Sequence, residues 1–299
     1  MSVIAICNQK GGVGKTTTAV SLAACLAAAE RRTLLVDMDP QANAGSGFGI
    51  DKNAISSSVY DLLIGQATID TVCVETELGH LHIIPSNINL VGAEIELASD
   101  VSRETRLTSA LASIRDKYDY ILIDAPPSLG LLTINALTAA DWAIIPVQCE
   151  YYAMMGMTDL MKTIELINAH LNPKLRLMGI LLTMFDGRNN LARQVSEEIR
   201  THFQDQVFAS VIPRNVRLSE APSHGRPIIL YDIRSIGAER YLQVAQEVMT
   251  RAERAIPREE SQRRSAYDAT TEGIGEGTLV TDIDEARESG ANPKSEDCH

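Results

Sequence analysis

A chain of 299 residues, 45% hydrophobic and 22% charged, is long enough for one large α/β domain or two small ones. Its formal charge of −12 weighs against a uniformly basic nucleic-acid binder, so any such contact has to come from a local patch. No apolar run reaches the roughly 18 residues of a membrane span, the N-terminus enters a strand without a signal peptide, and five scattered cysteines form no CxxC pair. A cytoplasmic protein with reduced thiols is expected.

Taken in chain order, short β-branched runs alternate with helical patterns. A strand over 3–7 leads through a glycine-rich loop into a helix over 15–29. Strands over 33–37 and 81–85 precede a helix over about 104–116. The strand 120–124, helix 130–139, strand 142–147, helix 156–170, strand 177–184 and helix 190–203 come next. In that last helix Leu191, Val195, Ile199 and His202 or Phe203 share a stripe, with Asn189 or Asn190 as cap. Strands over 206–213 and 227–230 and a helix over 235–254 complete the body. Several strands are apolar on both faces, so the expected fold is a doubly wound, mostly parallel α/β sheet with helices on both faces. Ligands should then sit at the carboxyl ends of the strands. From Pro257 the composition changes: five basic and eleven acidic side chains carry half of the formal charge. Residues 257–299 are expected to be a disordered acidic tail on a folded body of 1–256.

The stretch “NQKGGVGKTTTAV” (8–20) joins the first strand to the first helix, the setting of a P-loop. Gly11, Gly12, Val13 and Gly14 let successive backbone N–H groups face an anion, and the helix start adds its positive dipole end. Lys15 is placed for β- and γ-phosphates, the Thr16 hydroxyl for Mg²⁺, and Thr17 for the α-phosphate. In “LLVDMDPQ”, Asp39 suits the orientation of an attacking water and Asp37 the outer shell of the metal. Asp124 closes “YILID” as a Walker B aspartate would, holding Mg²⁺ through a water because that ion dehydrates reluctantly. A single aspartate at a strand end can also be only a helix or turn cap, an alternative that three such motifs in P-loop order weaken.

One position departs from the ordinary P-loop. The first glycine of G-x-x-x-x-G-K-[ST] would fall on residue 9, which is Gln9, and Lys10 follows it. The resulting KGGVGKTT is similar to the deviant loop of the ParA/MinD class of ATPases, in which the early lysine reaches a dimer partner's nucleotide. By that resemblance Lys15 serves its own ATP and Lys10 the neighbour's, acting as an arginine finger does. The alternative is a lysine that stays on its own nucleotide or in water.

Further along, “DMDPQANAGSGFGI”, “PSNINLVGAEIEL”, “DYILIDAPPSLGLLTINALTAAD”, “IPVQCEYYAMMG” and “VIPRNVRLSEAPSHGRPIILYD” resemble the chromosome-type ParA (Soj) family of DNA-partitioning ATPases over about residues 1–250. The resemblance implies a Mg²⁺-dependent ATPase, weak alone, that forms an ATP sandwich homodimer. It implies non-specific double-stranded DNA as a partner, nucleoid association, and release when a ParB-type centromere-binding protein stimulates hydrolysis. It also implies that Pro213 and Asn215 lie against adenine and that Arg188 and Arg217 contact DNA. Residues 188–226 hold six arginines, no lysine and four acids, a local excess suited to phosphate oxygens. The competing possibility is ion pairing with Glu197, Glu198 and Glu220.

Small-residue exchanges at Ala42–Gly47 and at Ala125 depart from the family pattern without touching its chemistry. No helix-turn-helix module precedes the loop, so operator autorepression is not expected. The runner-up is a membrane-surface regulator of the Min type, which would call for a basic amphipathic C-terminal helix where this chain is acidic. An iron–sulfur carrier on the same fold would need paired cysteines.

Overall fold

The computed structural model describes residues 1–151 and 153–272, with described side chains ending at Arg254 and omitting Met155. In chain order its elements are β1 (Ser2–Ile6), α1 (Lys15–Ala28), β2 (Thr33–Asp37), α2 (Asn43–Ser46), α3 (Val59–Leu63), α4 (Ile69–Val72), β3 (Val74–Glu75), β4 (Leu81–Ile84), α5 (Leu90–Glu96) and α6 (Arg106–Leu111). They continue with β5 (Tyr120–Asp124), α7 (Leu131–Ala139), β6 (Trp142–Gln148), α8 (Ala153–His170), β7 (Arg176–Thr183), α9 (Asn190–Phe203), α10 (Val216–Glu220), α11 (Ile228–Tyr231) and α12 (Ile236–Glu272). Two compact units divide the chain, Met1–Glu253 and Arg254–His299.

Seven strands form one sheet in the order β3-β4-β2-β5-β1-β6-β7. All neighbours run parallel except β3 against β4. Successive side chains on each strand feed opposite layers. Val3, Ala5, Leu34, Val36, Ile121 and Ile123 face a layer that includes α3, α6, α7 and α8. Ile4, Ile6, Leu35, Leu122 and Ile144 face α1 and α12. That two-sided burial is why the strands read as continuous apolar runs. Strand β1 lies between β5 and β6, where the order of strand addition reverses, and the loop after β1 opens at this switch point.

Four expectations about elements change. Residues 206–213 form only isolated bridges, Ile180 with Val207 and Phe185 with Pro213. The amides of Ala209 and Ser210 donate instead to the Glu247 carboxylate at 2.9 and 2.7 Å, which interrupts a ladder along β7. Residues 228–231 are a helical turn rather than a strand, started by Pro227. The span 104–116 divides into α6 and flanking 3₁₀ turns. Finally α12 runs past 254 to Glu272, where Arg, Glu, Gln and Ala continue a helix-forming composition. Residues 273–299 of the expected tail lie outside the described residues.

Candidate nucleotide-binding site

The loop after β1 is held at three points. Asn8 donates through Nδ2 to the Pro146 carbonyl at 2.7 Å and accepts the Lys10 amide at 3.0 Å. Thr183, at the end of β7, donates its hydroxyl to the Val13 carbonyl at 2.8 Å. Gly12 and Gly14 take φ of 73° and 87°, the left-handed region that favours glycine. Gly14 is the N-cap of α1 and offers no side chain to the first turn, so the leading N–H groups stay available to an anion.

The two lysines of the loop take different places. Lys15 is buried, and its Nζ donates to the Lys10 carbonyl at 3.1 Å. Burial lowers its pKa, while the charges of Asp124 and Asp39 oppose that shift. Lys10 is exposed and forms an ion pair with Glu150, outside the cradle. Glu150 carries no spacing signal in the sequence that would have marked it.

Asp37 and Asp124 are paired in register at the carboxyl ends of β2 and β5, both fully buried. Asp37 is partly satisfied locally. Its Oδ1 accepts the Asp39 amide at 3.0 Å, and Oδ2 accepts the Ala44 and Gly45 amides at 3.0 and 3.3 Å. Burial nonetheless pushes it up to about 7, the three amides opposing and the Asp39 charge assisting. Both Asp124 oxygens are buried without a partner of hydrogen-bonding geometry. Burial, then the Asp37 charge, holds this carboxyl well above the ordinary range; Thr16 and Lys15 pull it down. A buried carboxylate with no donor needs a cation or a bound water to stay ionised. The site therefore fits Mg²⁺, with Thr16 and Asp124 as the residues able to hold it and Asp37 behind them. Asp39 is buried at the cavity wall, its Oδ1 accepting the Gln41 amide at 2.9 Å.

A cavity of about 350 Å³ is lined by Gly11, Gly12, Gly14, Lys15, Thr16 and Asp39, together with Gln41, Asn43, Pro127 and Met184. The last four were missed from the sequence, although the amide side chains in “DPQAN” directly after Asp39 are a usable signal. Through Gly14 and Thr17 it adjoins a second cavity of about 290 Å³ that holds Pro213 and Asn215, the residues expected at the base. Its other walls, including Leu218, Pro222 and Tyr241, come from distant elements that no local pattern links. Asn215 also caps α10, accepting the Leu218 amide at 3.3 Å.

The two arginines lie elsewhere and are already partnered. Arg188 is 92% exposed in its side chain and binds Asp186 through both edges, at 3.0 and 2.9 Å. Arg217 pairs with Glu220 at 2.9 Å and Asp232 at 3.4 Å, the Glu220 contact being one of the pairings the sequence left open.

The AAA domain family matches residues 1–177. Soj, the sporulation initiation inhibitor protein of Bacillus subtilis, is 58% identical over 246 residues, 82% of this chain and 97% of that protein. The chain belongs to the ParA/Soj family of chromosome-partitioning ATPases. The chromosome partitioning protein ParA of Myxococcus xanthus is 57% identical over 256 residues, covering 86% of this chain and 90% of its own. Among solved structures, a cobyrinic acid a,c-diamide synthase from Mycobacterium smegmatis, with bound ATP analog and magnesium, superposes with a TM-score of 0.73. It is 37% identical, covering 82% of this chain and 93% of its own. Its fold agrees with the P-loop ATPase architecture described above. No helix among the described residues is long and apolar enough to cross a membrane, and none of them form a metal-holding cluster of His, Cys, Asp or Glu. Cys7, Cys25, Cys73 and Cys149 are free thiols rather than paired ligands.

Proposed function

We propose that this chain is a partitioning ATPase whose ATP-bound form dimerises and grips DNA, and whose hydrolysis, speeded by a ParB-type partner, releases it. The cofactors are ATP and Mg²⁺. The reading rests on the split between the two lysines. Lys15 occupies its own cradle, while Lys10 stands outside, exposed and ion-paired with Glu150, a partner it would exchange to serve a second copy.

The chemistry assigned to each residue follows from placement. The N–H groups of Gly11–Thr16 and the Lys15 ammonium bind and orient the phosphates, with little reorganisation cost because the glycines are already turned. Thr16 and Asp124 would hold Mg²⁺, which would supply charge neutralisation on the phosphate oxygens. Asp39 orients a water toward the γ-phosphate end of the cavity. Pro213 and Asn215 hold the base. Lys10 adds its cation only when a second copy is present, which ties turnover to dimerisation. Arg188 and Arg217 exchange their carboxylates for DNA phosphates, so contact is backbone-directed and indifferent to sequence.

Binding to non-specific duplex, measured with ATP, with ADP and without nucleotide, tests the whole scheme: strong binding with ATP alone is expected. Lys15→Ala should abolish nucleotide binding. Lys10→Ala should bind ATP normally but lose ATP-dependent dimerisation or turnover, read by gel filtration and phosphate release. Wild-type dimerisation and turnover in Lys10→Ala would remove the cross-subunit role.

A further inference from the structure

A third cavity, of about 250 Å³, opens beside the nucleotide site. It shares Thr16, Thr17 and Asn43 with the phosphate cavity and Thr17, Leu218 and Pro222 with the base cavity, while Val20, Ser46, Arg226 and Ile228 line it alone. One wall is the N-terminal half of α1, at Val20 and Ser21; a second is α2, at Asn43, Ser46 and Gly47. The third is the 218–228 segment, at Ala221, Pro227 and Ile228.

The chemistry of these walls is uneven. Val20, Leu218, Ala221, Pro222, Pro227 and Ile228 form an apolar body, and Arg226 supplies the one cation among the lining residues. Its guanidinium is half-exposed, and its carboxylate neighbour Glu77 stands 3.9 Å away, at the limit of an ion pair. The contact is weak enough for Arg226 to exchange it for a ligand anion. The Ser46 hydroxyl donates to the Ala42 carbonyl at 3.1 Å and still has its lone pairs, and Asn43 brings an amide to the same wall.

The walls are tied to one another. Gly225 has φ of 62°, and a Cβ there would lie 2.7 Å from the Gly49 Cα. This close backbone approach fixes the 218–228 segment against the loop that follows α2. On the other side, α2 presents the Ala44 and Gly45 amides to Asp37. The cavity is thus a built space between three elements that each reach the nucleotide site.

We propose that this cavity is a separate binding site for a small apolar carboxylate, aliphatic or aromatic, whose body fills the Val20–Ile228 space and whose anion meets Arg226. The volume admits roughly ten non-hydrogen atoms, below the range of drug-sized pockets. A ligand of that size binds with a Kd on the order of a millimolar. Because Val20, Ser46, Arg226 and Ile228 line neither of the other two cavities, a ligand held on them and ATP bind together. The site is independent of the partitioning reading, since it is measured without DNA or turnover.

Ligand-observed NMR on the full chain, titrating octanoate and benzoate, tests this. Saturable millimolar binding of at least one is expected, with octanol and benzyl alcohol at least fivefold weaker. Arg226→Gln should weaken carboxylate binding about five- to tenfold, and Ser46→Phe, which narrows the space, should abolish it. Ser46 is only half-buried, so circular dichroism serves as the check that Ser46→Phe folds; should it not, Arg226→Gln decides alone. Saturating Mg²⁺–ATP should change the carboxylate Kd by no more than about threefold. Absence of saturable binding at 20-fold above a millimolar, or affinity unchanged in Arg226→Gln, overturns the proposal. So does full displacement by ATP, which would place the probe in the base cavity.

Discussion

Asp37 and Asp39, at and just after the end of β2, show how a residue's surroundings set its use. Asp37 spends its oxygens on three backbone amides, whereas Asp39 keeps one oxygen free beside Lys15 and Thr16. Asp39→Ala should therefore leave ATP binding intact and slow hydrolysis by about 10²-fold or more, so that an ATP-bound dimer persists on DNA. Gel filtration with ATP checks this; a variant that binds ATP and stays monomeric contradicts it. Asp186 offers a second residue-level measurement. The Arg188 fork beside it depresses its carboxyl to about 2. The pair is therefore intact above the ordinary aspartate range and is lost only as pH falls through about 2. Carboxyl NMR should give that midpoint for Asp186, and Arg188→Gln should return it toward the ordinary value. If Arg188 exchanges Asp186 for DNA phosphates as proposed, Asp186→Asn should tighten non-specific DNA binding by about two- to fivefold.

Among elements, the join between the loop after α2 and the segment before α11 is the most sensitive to a small change. Gly225 sits at φ 62° with the Gly49 backbone against it, so an added methyl group meets both strain and a clash that no side chain can relieve. Gly225→Ala should cost about 2–3 kcal/mol, seen as a lower midpoint in urea denaturation. A similar methyl at Gly11 meets nothing within 4 Å, and Gly11→Ala should fold normally while its effect falls on nucleotide binding. Helix α1 shows the opposite economy. It is buried along nearly its whole length, and its alanines let it lie close to β2 and β5. Thr18 on this helix shares a buried hydrogen bond of 3.1 Å with Tyr241 of α12, so the phosphate-bearing helix is anchored far along the chain.

For the whole molecule, the acidic excess and the arginine cluster are separated along the chain. The net charge of −12 includes eleven acids beyond residue 256, while the arginines at 188–226 belong to the Met1–Glu253 unit. Deleting 257–299 should leave ATP-dependent DNA binding at least as strong as in the full chain, through the long-range field alone. Arg217→Glu should weaken it equally on unrelated duplexes and flatten the dependence of log K on log salt by roughly 0.9 per lost phosphate contact. Titrations at several salt concentrations on two duplexes read both effects; an unchanged slope in Arg217→Glu moves the DNA surface elsewhere.

The sequence by itself determined the parallel sheet, the P-loop and the three aspartates, because each is written locally. Apolar runs mark strands buried on both faces, and glycines beside Lys15 mark a strand-to-helix turn whose N–H groups suit an anion. Adjacent strand ends then collect Asp37 and Asp124 once the strand order is known. Local pattern misled at 206–213, where β-branched residues suggested a strand but Glu247, far along α12, takes the amides that a ladder would need. Only tertiary structure decided that Lys10 rests on Glu150, that Arg217 is shared between Glu220 and Asp232, and that Met184, Leu218 and Tyr241 wall the cavity of Pro213 and Asn215. Apart from Arg217 with Glu220, three residues on in the same helix, these are contacts between elements separated along the chain. Their partners are chosen by how helices pack across the sheet, a long-range outcome that neither periodicity nor spacing encodes.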